Sequence, residues 1–372
     1  MARRVSNNVS ARNMPRQDPL GIKNGQSPDD FAWDFLFRRY NIGNMLEIGT
    51  LKLKSNLILA SMAGVTDFPF RMLNRRFGCE LAFVEMVNSH SVSYKSKRTQ
   101  KMLFSHKDER PLGVQLLGCE AKFVQRAMDV INEYEFDILD FNAACPAKKV
   151  VRRGEGSGLL KDPGKLSGIL KIVVKKAKVP VTVKIRSGWD KDSVNATEVT
   201  SCCQDAGVSG IFIHGRTRAQ GYGGTVDYRT IKEVKKALKI PVIASGDILS
   251  PELAKKMFDE TGCDAVIIAR GALGNPWIFR EITEFIKSGK IMDRPTPQQV
   301  ARVMIEHLDM CVDFYGGRNG VVIFRKFFSR YTRGFRKVMR LRELSSRVKT
   351  RPEMNEIIQE CADLQQKIIL NP

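Results

Sequence analysis

From Leu57 onward, short apolar runs alternate with longer amphipathic stretches. The runs span residues 57–62, 81–87, 112–117, 136–141, 181–185, 210–214, 242–245 and 265–269. They are rich in Val, Ile, Leu and Phe with little alternation, the pattern of strands buried on both faces. The interval after each run is long enough for the crossover of a dozen or more residues that parallel strands require. Residues 122–133, 165–178, 228–238 and 251–261 carry Lys, with Glu in all but the second stretch, beside an apolar stripe and predict crossover helices. Eight strand–helix units predict an α/β fold, a (β/α)8 TIM barrel. An open doubly wound sheet is the alternative. Its dinucleotide fingerprint of spaced glycines is absent after the first strand, where Ala63-Gly64-Val65 stands instead.

After Ile291 the strand rhythm stops. Pro295 and Pro297 mark a linker, and residues 300–312, 321–332, 341–349 and 353–370 read as helices, predicting a C-terminal all-helical domain. At the other end, residues 1–27 are polar and aperiodic, as in disordered segments. Between Asp29 and Met45, the spacing of Phe31, Phe35, Leu36 and Tyr40 predicts a short helix that docks on the main domain. The chain thus divides into an N-terminal extension (1–46, partly disordered), a barrel (47–294) and a helical domain (295–372).

Charge adds a partner class. Lys plus Arg number 61 against 40 Asp plus Glu, a formal net charge of +21. Between Arg318 and Arg351 there are twelve Lys or Arg and one acid, Glu343, interleaved with Phe324, Phe327, Phe328, Tyr331 and Phe335. Rings turned inward and bases outward would make a phosphate-binding face, with Arg325, Lys326, Arg330 and Arg333 as its nucleic-acid contacts. The eight Cys form no C-x-x-C pair and the four His lie far apart, which argues against a zinc site. A disulfide framework is not expected in a chain of this length without a secretory leader, so a reducing compartment is expected. The first sixteen residues hold four Arg and no acid; a disordered basic tail fits them better than a transit peptide. No apolar run approaches the ~20 residues of a membrane span.

In such a barrel the chemistry lies at the carboxyl ends of the strands. Those ends read Met62 to Asp67, Glu85-Met86-Val87, Gln115, Asn142 with Cys145, Lys184 with Arg186, His214 with Arg216, Ser245-Gly246-Asp247 and Ala269-Arg270-Gly271. The last two suggest a phosphate cradle, since loops after strands seven and eight commonly bind one. Lys184 sits inside an apolar strand and must reach water, a partner or a ligand. An ion pair with Glu85 or Asp140 would satisfy it, and His214 could equally be a core histidine. Facing one pocket, Gln115, Lys184 and His214 instead suit a polar ring system such as a flavin. Most cysteines are small hydrophobes. Cys145 differs in following a strand end, beside Pro146, in a loop with Lys148, Lys149, Arg152 and Arg153. A thiol there can donate a proton at neutral pH, provided the neighbouring bases face a substrate and not the sulfur.

Seven motifs in order resemble the tRNA-dihydrouridine synthase family, most closely its bacterial B-type and archaeal branches. They are Met62-Ala63-Gly64-Val65-Thr66-Asp67, Gly113-Val114-Gln115, Asn142-Ala143-Ala144-Cys145-Pro146, Val183-Lys184-Ile185-Arg186, Ile213-His214-Gly215-Arg216-Thr217, Ser245-Gly246-Asp247-Ile248 and the stretch from Ala269 to Trp277. The resemblance implies an FMN-bound barrel and a helical domain that grips tRNA. It further implies that NADPH reduces FMN, that hydride reaches C6 of a specific uridine, and that Cys145 protonates C5. By motif, Ala63, Gly64, Val65, Gln115, Lys184 and His214 would meet the flavin. Ser245, Gly246, Asp247, Ala269, Arg270 and Gly271 would hold its phosphate end. Asn142, Lys148 and Arg152 are expected near a flipped-out uridine. Ser61, Ala144 and Ala147 stand where the family usually has Pro, Gly and Val. An Ala beside Cys145 would resist any backbone shape that needs Gly.

The expected protein is therefore a monomeric, cytoplasmic flavoenzyme that uses NADPH and tRNA, with no metal and no membrane. An FMN barrel acting on free pyrimidines is the second reading, and a non-catalytic RNA-binding barrel the third.

Overall fold

In a computed structural model, residues 45–370 are described. The expected disordered segment and the expected helix around Phe31 to Tyr40 lie outside the described residues.

Among the described residues the first element is an antiparallel hairpin of β1 (Leu46–Ile48) and β2 (Leu51–Leu53). The parallel strands follow: β3 (Leu57–Leu59), β4 (Leu81–Phe83), the two-residue β5 (Val87–Asn88), β6 (Leu112–Leu117), β7 (Ile138–Asn142), β8 (Val181–Arg186), β9 (Gly210–His214), β10 (Val242–Ser245) and β11 (Ala265–Ile268). Neighbours run β4-β3-β11-β10-β9-β8-β7-β6, and β4 pairs back onto β6, with Ala82 opposite Leu112 and Phe83 opposite Gly113. That pairing closes an eight-stranded barrel. β5 lies outside the ring, against the end of β6.

The hairpin was not foreseen, although its L-E-I and L-K-L triplets alternate as a half-buried strand should. Leu46, Ile48 and Leu53 pack with Ile58, Leu81, Ile138, Phe212 and Ile243. These lie toward the amino ends of their strands, so the hairpin plugs the barrel's lower mouth and leaves the carboxyl end for chemistry. The expected strand at 57–62 stops at Leu59 because the chain turns there: the Met62 carbonyl accepts from the N–H groups of Val65 and Thr66 at 3.0 and 3.1 Å.

Helices sheathe the barrel: α1 (Phe68–Arg76), α2 (Ser89–Ser93), α3 (Lys97–Met102), α4 (Ala121–Ile131), α5 (Lys148–Val151), α6 (Pro163–Lys176), α7 (Ala196–Asp205), α8 (Tyr228–Ala237), α9 (Pro251–Thr261) and α10 (Ile278–Ser288). Their ends follow local chemistry. For α9, the Ser250 hydroxyl accepts from the Leu253 N–H, Pro251 fills the first turn, and Gly262 closes the helix with a left-handed φ of 67°.

Beyond the barrel come α11 (Pro297–Tyr315), α12 (Gly317–Tyr331), α13 (Met339–Ser345) and α14 (Arg351–Leu370). Thr296 and Gln299 form a reciprocal capping box at the start of α11. The aromatics of the basic stretch do turn inward: Phe324, Phe327, Phe328 and Tyr331 are buried, each such burial being worth roughly 1.5–3 kcal/mol. Phe327 stacks on Phe70 of α1 at 5.4 Å, and the apolar core of the helical region is continuous with that of the barrel. Among the described residues no helix is long and apolar enough to cross a membrane.

Candidate active site

A cavity of about 370 Å³ opens at the carboxyl end of the barrel, within the ~300–1,000 Å³ range of small-molecule and cofactor sites. Eleven residues singled out from sequence line it: Ala63, Gln115, Asn142, Cys145, Lys184, His214, Ser245, Gly246, Asp247, Ala269 and Arg270. Gly64, Val65 and Gly271 do not line it. Gly271 has another duty, since a Cβ there would stand 2.1 Å from the Ile248 carbonyl oxygen. It lets the loops after β10 and β11 touch.

One side of the cavity is a chain of buried amides. Asp140 of β7 accepts from Thr182 Oγ1 at 2.9 Å and from Gln115 Nε2 at 2.7 Å. Gln115 Oε1 in turn accepts from Asn142 Nδ2 at 2.9 Å. Asn142 Oδ1 then accepts the N–H groups of Ala144 and Cys145 at 3.0 and 2.9 Å. The Cys145 carbonyl takes the Ser157 N–H and hydroxyl at 3.1 and 3.0 Å. The thiol loop is thereby fixed at both ends of the Cys145 peptide, and its side chain is only half-buried. Ala144 is accommodated without strain. It is buried, its φ is not in the left-handed region, and its carbonyl accepts from Arg186 Nε at 2.9 Å.

The opposite wall is cationic. Lys184 Nζ is buried and finds no hydrogen-bond partner among the described residues. It makes neither of the expected ion pairs, because the Glu85 carboxylate accepts from the Gly64 N–H instead. Burial pushes the Lys184 ammonium down to about 8, against the pull of Asp140. Burial likewise raises Asp140 to about 6. His214 Nδ1 faces Ser245 Oγ at 3.4 Å, while its buried Nε2 has no partner among the described residues. Burial, then the charges of Arg186, Lys184 and Arg216, hold this imidazole neutral. In the loop after β10, Asp247 adopts a φ of 51° and bridges two guanidinium groups. Arg216 reaches it at 3.0 and 2.5 Å and Arg270 at 2.6 Å, which holds its carboxyl below the usual range.

Tyr222 lines the mouth and was not anticipated. It is 62% exposed, with the guanidinium of Arg270 4.6 Å and that of Arg186 6.0 Å from its ring. It sits in a glycine-rich loop with no apolar period, and only the loop's place after β9 could have flagged it.

The expected nucleic-acid contacts separate into two groups. Lys148, Arg152, Arg330 and Arg333 are exposed. Arg325 is engaged internally, its Nε donating to the Val348 carbonyl at 2.8 Å and a terminal nitrogen to that of Arg347 at 3.1 Å. Lys326 is exposed as well, and its Nζ donates to the Gly64 carbonyl at 2.5 Å.

Comparison with known proteins agrees with this geometry. The dihydrouridine synthase (Dus) family model matches residues 58–368. The chain is 42% identical over 286 residues to tRNA-dihydrouridine synthase B of Pseudomonas putida, covering 77% of this chain and 85% of that protein. It is 38% identical over 314 residues to tRNA-dihydrouridine synthase B of Vibrio parahaemolyticus, covering 84% and 98%. Among solved structures, histamine dehydrogenase from Rhizobium sp. 4-9 superimposes with a TM-score of 0.52 at 11% identity, over 75% of this chain and 51% of that one. That likeness concerns the fold. The family match runs from the first barrel strand into α14 and leaves no part of the cavity outside it, so the chain belongs to the dihydrouridine synthase family.

Proposed function

We propose that this protein reduces the C5=C6 bond of a uridine in tRNA to 5,6-dihydrouridine, with FMN as cofactor, NADPH as reductant and Cys145 as proton donor. The observation that carries this reading is a pair of buried nitrogens, Lys184 Nζ and His214 Nε2, without hydrogen-bond partners among the described residues, in the cavity that also holds the Cys145 thiol. Leaving such groups unpaired costs about 1–3 kcal/mol each, more for a charge, so they are placed for a ligand with matching acceptors.

An isoalloxazine ring fits that donor set. Lys184 and His214 would hold its polar edge and Gln115 its flank, with Ser245, Gly246 and Arg270 at the phosphate end. Bound FMN would supply hydride chemistry toward uracil C6, with NADPH as its reductant. The proton for C5 comes from Cys145 Sγ, whose half-buried position lets the resulting thiolate regain a proton from solvent. Asn142 holds the Cys145 backbone so that the sulfur keeps one reach into the cavity. Asp247 fixes the Arg270 guanidinium before any phosphate arrives.

The exposed cations Lys148, Arg152, Arg330 and Arg333 favour a polynucleotide over a free pyrimidine, which has no phosphates to meet them. The test is direct. The purified protein should be yellow and should form dihydrouridine on unmodified tRNA with NADPH. Cys145→Ala should keep flavin and tRNA affinity while losing ~10²–10⁴-fold in turnover, the usual span for a positioned acid. A colourless protein that takes up no FMN, or unchanged turnover in the variant, would refute the reading.

A further inference from the structure

The loop from Ser61 to Asp67 leaves β3, forms part of the cavity wall through Ser61, Met62 and Ala63, and ends as the N-cap of α1. From the barrel side it is held by bonds between Met62 and both Val65 and Thr66 at 3.0 to 3.2 Å, by Glu85, which takes the Gly64 N–H, and by Arg71 Nη1, which donates to the Thr66 carbonyl at 2.8 Å. Two further bonds come from the C-terminal helices. Tyr315, the last residue of α11, donates its hydroxyl to Asp67 Oδ2 at 3.0 Å, while Asp67 Oδ1 caps α1 through the Phe70 N–H at 3.1 Å. Lys326 of α12 donates Nζ to the Gly64 carbonyl at 2.5 Å.

We propose that Tyr315 and Lys326 are positioning residues that clamp the cavity-lining loop from the helical region, so that α11 and α12 set the shape of the cofactor cavity. The identity of the cavity's occupant rests on the functional reading above; the clamp itself does not.

Three observations support it. The same helices dock on α1, the element the loop leads into: Phe327 stacks on Phe70, and Phe314 packs 5.3 Å from Phe68. The Tyr315 ring is held in turn by the Lys101 ammonium, 4.4 Å from its centroid. Asp67 is 5% exposed, and burial pushes its carboxyl up, with the Lys326 charge the largest opposing influence. The ammonium therefore faces the loop as well as solvent. Lys326 would otherwise count as one more phosphate contact in a basic run.

The test compares full-length wild type, Tyr315→Phe, Lys326→Met and Lys326→Arg without RNA. Hydrogen–deuterium exchange of the 61–67 segment reports the loop directly. Flavin release on dilution, followed by fluorescence, reports the cavity. Tyr315→Phe and Lys326→Met should speed exchange in that segment and release FMN about three- to tenfold faster, the range for one partly exposed hydrogen bond to a charged or phenolic donor. Lys326→Arg keeps a donor and should restore both. Unchanged exchange and flavin release, with only tRNA affinity reduced, would overturn the proposal and return Lys326 to the RNA face. If wild type holds no flavin, the functional reading fails, and loop exchange alone decides whether the clamp exists.

Discussion

Asn142 holds the backbone of Cys145: one amide oxygen accepts two consecutive N–H groups, those of Ala144 and Cys145, at 3.0 and 2.9 Å. The same side chain donates to Gln115, which donates to the buried Asp140. Removing it would strand the Ala144 N–H in a buried environment and free the thiol loop. Asn142→Ala should cost about 1–3 kcal/mol of stability for the unpaired groups and lower dihydrouridine formation at least about tenfold through misplacement of the acid. Urea unfolding together with turnover on tRNA checks both. An unchanged turnover would show that the loop needs no support from the amide chain.

The exposed cations of α12 make a separate prediction. Arg330 near its carboxyl end and Arg333 just beyond it are exposed, whereas the Arg325 guanidinium is bonded to the Val348 carbonyl and the exposed Lys326 ammonium to that of Gly64. Arg330→Gln and Arg333→Gln should each weaken tRNA binding and lower the slope of log affinity against log salt by about one per lost phosphate contact. Arg325→Gln should act on stability, because its guanidinium supports the Val348 carbonyl. Filter binding across a salt series, with thermal melts alongside, separates the two behaviours. Equal salt slopes for all three variants would contradict the division.

The barrel was legible because strands buried on both faces are written as unbroken apolar runs, and eight such runs need only be counted. The floor of the site could be located by the same count, since Gln115, Lys184 and His214 stand at or near the carboxyl ends of such runs. What escaped was set by contacts far apart in sequence. Lys326 reads as one base in a basic run, and nothing local says that its ammonium reaches Gly64. Tyr222 lies in a loop whose composition signals a turn and nothing more. Ala144 stands where the family usually has Gly, and its backbone lies outside the left-handed region, so the motif position does not require Gly here. Gly271 was assigned to a phosphate, yet its missing side chain makes room for the Ile248 carbonyl.

Lys184 gives the site a pH dependence with a definite sign. Burial lowers its folded-state pKa to about 8. A ligand that accepts from the ammonium is bound fully below that pH and loses the charged donor above it. Asp140, raised to about 6, stays ionised from pH 7 upward, and His214 stays neutral there. FMN affinity of the flavin-free protein should therefore fall as pH rises through about 8, by roughly tenfold or more for loss of a charge-assisted hydrogen bond. Lys184→Met should bind more weakly and show a flat profile between pH 7 and 9.5. A falling profile retained in the variant would assign the titration to another group.

Two glycines with opposite surroundings test how the helical region is seated. Gly274, in the loop after β11, has a φ of +74°, and a Cβ built there would stand 2.3 Å from the carbonyl carbon of Arg330 and 2.5 Å from its oxygen. The obstacle is the backbone at the carboxyl end of α12, which cannot rotate away like a side chain. Gly274→Ala therefore combines a left-handed alanine, about 1–2 kcal/mol, with an overpacking cost of about 1–3 kcal/mol. It should also push α12 off the barrel rim. Gly168 lies on the exposed face of α6, has no positive φ, and would place its Cβ with nothing within 4 Å. Gly168→Ala should stabilise by about 0.5–1 kcal/mol, through helix propensity and a less flexible unfolded chain. Urea midpoints should thus move in opposite directions from wild type. If Gly274→Ala unfolds at the wild-type midpoint, the loop–helix approach is no constraint, and the seat of α12 rests on other contacts such as the Phe70–Phe327 stack and the Lys326–Gly64 bond.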